Sequence, residues 1–152
     1  MKIHRLQTIF FAKAIAVAVA FIAASPVSAQ LFDKKKFSET LNEYRPLAEQ
    51  GNTDAQFIIG MTYLRSPDSG DLPSAELWLE KAAESGHMDA QLILGDQYRS
   101  NARMRDYSKS MRWFKLAAEK SNPLAQYAVG ALYYNGHGVK EDFAAAHTWF
   151  LK

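Results

Sequence analysis

The stretch Ala90-Gln91-Leu92-Ile93-Leu94-Gly95-Asp96-Gln97-Tyr98 decides the fold of this 152-residue chain, because its key positions occur three times in register. Thirty-five residues earlier stand Ala55, Gln56, Gly60 and Tyr63, and 35 residues later Ala125, Gln126, Gly130 and Tyr133. A fixed period of this size marks a solenoid, whose units each need a neighbour to bury their apolar face. Ala90, Ile93, Leu94 and Tyr98 fall on one face of a helix, as do Ala55, Ile58, Ile59, Thr62 and Tyr63 in the first copy. Ala125, Ala128, Val129, Leu132 and Tyr133 repeat the stripe in the third. A glycine inside a helix costs about 1 kcal/mol against alanine, so three at one register need a reason. The simplest is close approach of a second helix, which a side chain at Gly60, Gly95 or Gly130 would push away.

That second helix follows in each unit and opens on an aspartate able to cap it: Asp71, Asp106 and Asp142. Its apolar stripe carries Trp78, Trp113 and Trp149, which fill space between units, and alanines that let helices approach. Gly86 reads as a helix stop, and Pro123 suits the first turn of the next helix. The units are therefore 52–86, 87–121 and 122–152. By register an alanine pair and a closing glycine are due after Lys152, so the chain reads as a fragment of a longer protein. Ahead of the units, Phe37, Leu41, Tyr44 and Ala48 form one more stripe, and Ala48-Glu49-Gln50-Gly51 aligns with Ala83-Glu84-Ser85-Gly86. Residues 30–51 are expected to form a capping half-repeat, bent or interrupted at Pro46.

The pattern of alanine-glutamine, glycine, tyrosine, a glycine loop, then aspartate, tryptophan, paired alanines and a closing glycine resembles the Sel-1-like repeat, a relative of the tetratricopeptide repeat. Asn135-Gly136-His137-Gly138-Val139 is similar to that family's glycine loop and makes the third unit one residue longer. The loops Arg65–Gly70 and Arg99–Arg105 lack the paired glycines, so those corners are expected to differ in shape. The resemblance spans roughly residues 40–152 and implies an all-α, right-handed α/α solenoid of about three hairpins. It also implies a protein-interaction scaffold that binds a protein or peptide in a concave groove and along its loop rim.

The first 29 residues stand apart. Lys2, His4, Arg5 and Lys13 precede an apolar run from Ala14 to Ala24, and Val27-Ser28-Ala29 is a small-residue cleavage site. Such a run is too short to span a membrane, which takes about 20 residues. Residues 1–29 thus read as a signal peptide cleaved after Ala29, which predicts a periplasmic or secreted protein. Three of the 18 Lys and Arg but none of the 16 Asp and Glu precede residue 30, so the remaining chain carries 15 bases against 16 acids. That balance gives no reason to bind nucleic acid or an acidic bilayer. The chain has no cysteine, which excludes disulfides and leaves packing to hold the fold.

No catalytic, cofactor or metal site is expected. His87, His137 and His147 share no helical face, and no nucleophile or phosphate motif is visible. Glu76, Glu80 and Glu84 share one face, more simply a solvated stripe than a cation site. Some cysteine-rich relatives are associated with β-lactam hydrolysis, but without cysteines that activity is not carried over. A cell-envelope hydrolase, or a domain regulating one, with its chemistry outside this stretch is the alternative to an exported adaptor. Two features are candidates for partner binding. Gln56, Gln91 and Gln126 either bond a bound peptide or satisfy backbone groups at the repeat junctions. Arg99, Arg103 and Arg105 begin a basic segment that follows an acidic one. They either belong to charges paired between repeats or form a rim that docks an acidic partner or an anionic envelope polymer.

Overall fold

The computed structural model describes residues 34–66 and 71–152, and the expected signal peptide lies outside them. Among the described residues there are seven helices and no strand. They are α1 (Lys34–Glu49), α2 (Thr53–Leu64), α3 (Leu72–Glu84), α4 (Met88–Ser100), α5 (Tyr107–Glu119), α6 (Pro123–Asn135) and α7 (Phe143–Phe150). The dominant packing joins each helix to its neighbour in the chain, as a stack of antiparallel hairpins requires. One apolar cluster combines Leu79 and Ala82 of the first hairpin with Leu94, Tyr98 and Trp113 of the second. Another combines Phe114 and Ala117 with Ala125 and Val129 of the third, so neighbouring hairpins share their interiors.

The three interior glycines sit where helix pairs touch. A Cβ on Gly60 would lie 2.7 Å from Leu79 Cγ and 2.9 Å from its backbone nitrogen. On Gly95 it would meet the Phe114 ring at 2.8 Å, and on Gly130 the Phe150 ring at 2.5 Å. The expected close approach is therefore met at all three.

Each corner inside a hairpin closes in the same way. The backbone N–H of Asp71, Asp106 and Asp142 donates to the carbonyl of Tyr63, Tyr98 and Tyr133, at 3.2, 2.8 and 3.0 Å. The same aspartates cap α3, α5 and α7 through their side chains, as expected. The second corner does differ from the third: α4 ends on Asn101 in an extended conformation, whereas α6 ends on Gly136 in the left-handed region.

The junctions between hairpins repeat as well. Gly51 and Gly86 have φ of +90° and +91°, and Ser121 takes the same register with φ of +62°. Each is followed by a residue that caps the next helix. Asn52, His87 and Asn122 accept the backbone N–H of Ala55, Ala90 and Ala125 through their side chains.

Pro46 corrects one expectation. It lies within α1, which continues unbroken to Glu49. Proline lacks an N–H and crowds the carbonyl four residues back, but its own carbonyl still accepts Gln50 N–H at 3.3 Å. Burial of Ala48 beside Ala55, Ile59 and Trp78 holds the final turn against the first hairpin.

Candidate functional site

A cleft of about 440 Å³ opens where the first and second hairpins meet. Leu72, Pro73 and Glu76 from the start of α3 form one wall, and Tyr98 near the end of α4 forms another. Arg103, Met104, Arg105 and Asp106 of the connecting turn, with Lys109 of α5, complete it. The turn takes its shape from its own side chains. Asn101 Oδ1 accepts the N–H of Arg103 at 3.0 Å, and the N–H of Met104 returns to the Asn101 carbonyl at 3.0 Å.

A polar network lies against this cleft. Tyr98 donates its hydroxyl to Glu76 and to Glu80, the latter at 2.9 Å. Lys109 Nζ reaches Glu76 at 2.8 Å and the Tyr98 oxygen at 3.1 Å. Burial raises the Tyr98 pKa far above the ordinary phenol range, and its bonds to the two carboxylates raise it further. The hydrogen bond to Glu76 is the main cause that raises the Lys109 pKa. Burial by itself pushes Glu76 upward, but the bonds from Lys109 and Tyr98 outweigh it and leave its pKa lowered. Every shift thus moves a proton affinity away from neutrality, the reverse of what a general acid or base at pH 7 needs. The network joins two hairpins.

The acidic and basic segments meet as partners across the repeats. Besides Lys109 with Glu76, Arg112 of α5 lies 3.6 Å from Glu84 of α3. Arg99 pairs with Asp96 of its own helix. Arg103 and Arg105 are exposed on the turn and line the cleft.

Of the two roles open to the three glutamines, the structure shows the bond at the repeat junctions. All are buried, and each donates its amide to a carbonyl eight residues back: Gln56 to Ala48 at 3.1 Å, Gln91 to Ala83 at 2.9 Å, Gln126 to Ala118 at 3.5 Å. Those donors satisfy carbonyls at the ends of the preceding helices, while the amide oxygens of Gln56 and Gln91 are buried without a hydrogen-bond partner among the described residues. Sequence reasoning missed three further roles. His87 caps α4 and stacks on Phe57, Ser121 holds a left-handed turn, and Ser110 donates its hydroxyl to the Gly95 carbonyl at 2.7 Å. For the first two the 35-residue register was the available signal, since they align with Asn52 and Gly86.

Helical hairpins stacked through shared interiors, with matching glycine contacts and junction bonds, define an α/α solenoid of repeated units. The Sel1 repeat family matches this chain at residues 53–87, 89–122 and 123–152, and the chain belongs to that family. Sel1 repeats generally serve as protein-interaction scaffolds. No curated protein matches the chain. Among solved structures it is similar to c5321, a protective antigen present in uropathogenic Escherichia coli strains that displays an SLR fold. The identity is 34%, the TM-score 0.64, and the match covers 73% of this chain and 24% of that one, so the chain spans about a quarter of the antigen. It is also similar to a Sel1 repeat protein from Oxalobacter formigenes, at 34% identity and a TM-score of 0.61, covering 74% of this chain and 86% of that one.

Proposed function

We propose that the protein is an exported scaffold that holds a protein or peptide partner on its solenoid surface without transforming it. The observation that carries this reading is the network of Glu76, Tyr98 and Lys109. Among the described residues, these groups against the cleft bond one another across two hairpins, a bracing rather than a reactive arrangement. Membership of the Sel1 repeat family supports a scaffold in general. Export rests on the basic, apolar and small-residue order of residues 1–29.

Two measurements test it. In-cell crosslinking of the tagged full chain, followed by mass spectrometry, should return the same partner from independent cultures, with N-terminal sequencing placing the first residue at Gln30. Turnover of a labelled β-lactam or cell-wall fragment by the purified chain would overturn the scaffold reading. A retained residue 1 on the exported protein would overturn cleavage.

A further inference from the structure

The cleft over Leu72 and Pro73 has a counterpart one repeat further on, and there the space is filled. Tyr107 and Ser108 stand 35 residues after Leu72 and Pro73 at the start of the next outer helix. The loop of the third hairpin settles directly on them. His137 stacks on the Tyr107 ring at 4.2 Å with planes 12° apart. Gly138 lies so near that a Cβ would be 2.5 Å from the Tyr107 carbonyl and 2.8 Å from Ser108 N. Only a glycine permits that approach. The loop of the second hairpin carries Asn101-Ala102-Arg103-Met104-Arg105 instead of paired glycines, and about 440 Å³ stays open above Leu72 and Pro73. A volume of this size suits a small ligand or a short chain segment, not a folded domain.

The charges around the opening indicate what would enter. Two carboxylates line it, and both are committed: Glu76 to Tyr98 and Lys109, Asp106 to the N–H groups of Ser108 and Lys109 at 2.9 and 3.0 Å. Lys109 is answered by Glu76. Arg105 is exposed and makes no hydrogen bond or ion pair among the described residues. Its planar guanidinium is suited to clasp a carboxylate with two parallel bonds. Beside it, Pro73 and Met104 offer an apolar shelf.

We propose that this cleft, left open by the glycine-free loop, captures an acidic side chain of an extended peptide at Arg105 and rests the neighbouring apolar residue on Pro73 and Met104. This rests on the scaffold reading above and names the kind of segment that the scaffold would take. The partner's acidic, partly apolar strand would approach the turn 101–105 and not the glycine loop of the third hairpin.

The test uses the purified full chain and two fluorescein-labelled peptides of equal length, one alternating glutamate with leucine and one alternating lysine with leucine. Fluorescence anisotropy should show the acidic peptide binding with a salt-sensitive affinity and the basic peptide failing to bind. Arg105→Glu should weaken the acidic peptide at least about tenfold, the scale of one lost charge-assisted contact, with an unchanged thermal melt. Lys120→Glu, a charge reversal remote from the cleft, should leave binding intact. Replacing residues 101–105 with a glycine-bearing loop like that of the third hairpin should close the cleft and abolish binding. Equal binding of the acidic peptide by the parent and the Arg105→Glu chain would overturn the proposal, as would no binding by the parent. In-cell crosslinking of the same variants separates the two readings. Partner capture that Arg105→Glu leaves untouched defeats the cleft but keeps the scaffold, whereas no capture by the parent chain defeats the scaffold.

Discussion

Gln91 donates its side-chain amide to the carbonyl of Ala83 at 2.9 Å, the same carbonyl that accepts the N–H of Gly86 at 3.0 Å. One acceptor at the end of α3 thus ties down both the turn that leaves the first hairpin and the helix that begins the second. The bond lies in the interior, where one hydrogen bond contributes about 0.5–1.5 kcal/mol net. Gln91→Leu keeps the apolar bulk and removes the donor. Because the Ala83 carbonyl keeps the Gly86 N–H and the buried Gln91 Oε1 has no partner to lose, chemical denaturation should show a loss of at most about 1 kcal/mol. The same exchange at Gln126 should cost less, because its bond to Ala118 is stretched to 3.5 Å. An equal loss at both positions would mean that side-chain bulk, not the junction bond, fixes the glutamine.

Gly95 and Gly51 should fail differently when given a methyl group. At Gly95 the new Cβ meets three atoms of the buried Phe114 ring, the nearest at 2.8 Å, so Gly95→Ala forces the outer helix to shift. Overpacking of this kind costs about 1–3 kcal/mol. Gly95→Ala combined with Phe114→Leu should recover part of that loss, which a double-mutant cycle of melting curves would reveal. At Gly51 nothing lies within 4 Å, and the cost of alanine is confined to a backbone φ of +90°. No change at Phe114 should relieve Gly51→Ala.

Ser121 occupies the left-handed turn that Gly51 and Gly86 occupy at the two earlier junctions, with φ of +62°. A side chain in this region is strained, and glycine is not. Ser121→Gly should raise stability by up to about 1 kcal/mol, less whatever the looser unfolded chain gains in entropy. The reverse exchange, Gly86→Ser, should lower the melting temperature. A Ser121→Gly chain that melts earlier than the parent would show that the serine does more than tolerate the turn.

How much of this was legible beforehand depends on whether the cause repeats. The hairpin stack, the glycine contacts and the aspartate caps each recur at a fixed register, and periodic spacing carried them onto the correct residues. Interruption at Pro46 was expected because proline's local cost was weighed without the packing of Ala48 that opposes it. The glutamines were open between two roles because residue type and register show that an amide is repeated, not which way it turns. That Arg99 pairs with Asp96 of its own helix likewise depends on side-chain direction. The cleft was least legible of all. It arises from how two loops differ in seating on the previous hairpin, and their missing glycines signalled a different corner without revealing an opening.

The acid limit of stability should run through Glu76, and the alkaline limit through Lys109, 2.8 Å away, together with the buried Tyr98 phenol. The Glu76 pKa is lowered in the fold from an ordinary value of 4.5, because its bonds from Lys109 and Tyr98 overcome the opposing effect of burial. A carboxyl lowered in this way stabilises the fold above its unfolded value and ceases to do so as pH falls through the folded one. The Lys109 pKa is raised from 10.5, chiefly by the bond to Glu76, so its contribution is full below that value and is lost as pH climbs through the folded one. Melting temperature should therefore stay level between about pH 5 and about pH 10 and decline on both sides. Glu76→Gln should lower the plateau by about 1 kcal/mol and flatten the acid limb, since the amide does not titrate, while an alkaline limb should persist because burial still raises the Tyr98 phenol. Tyr98→Phe should lower the plateau too but keep an acid limb, because Lys109 still pairs with Glu76. Identical acid slopes for the parent and the Glu76→Gln chain would assign the transition to other carboxylates and remove this network from the pH response.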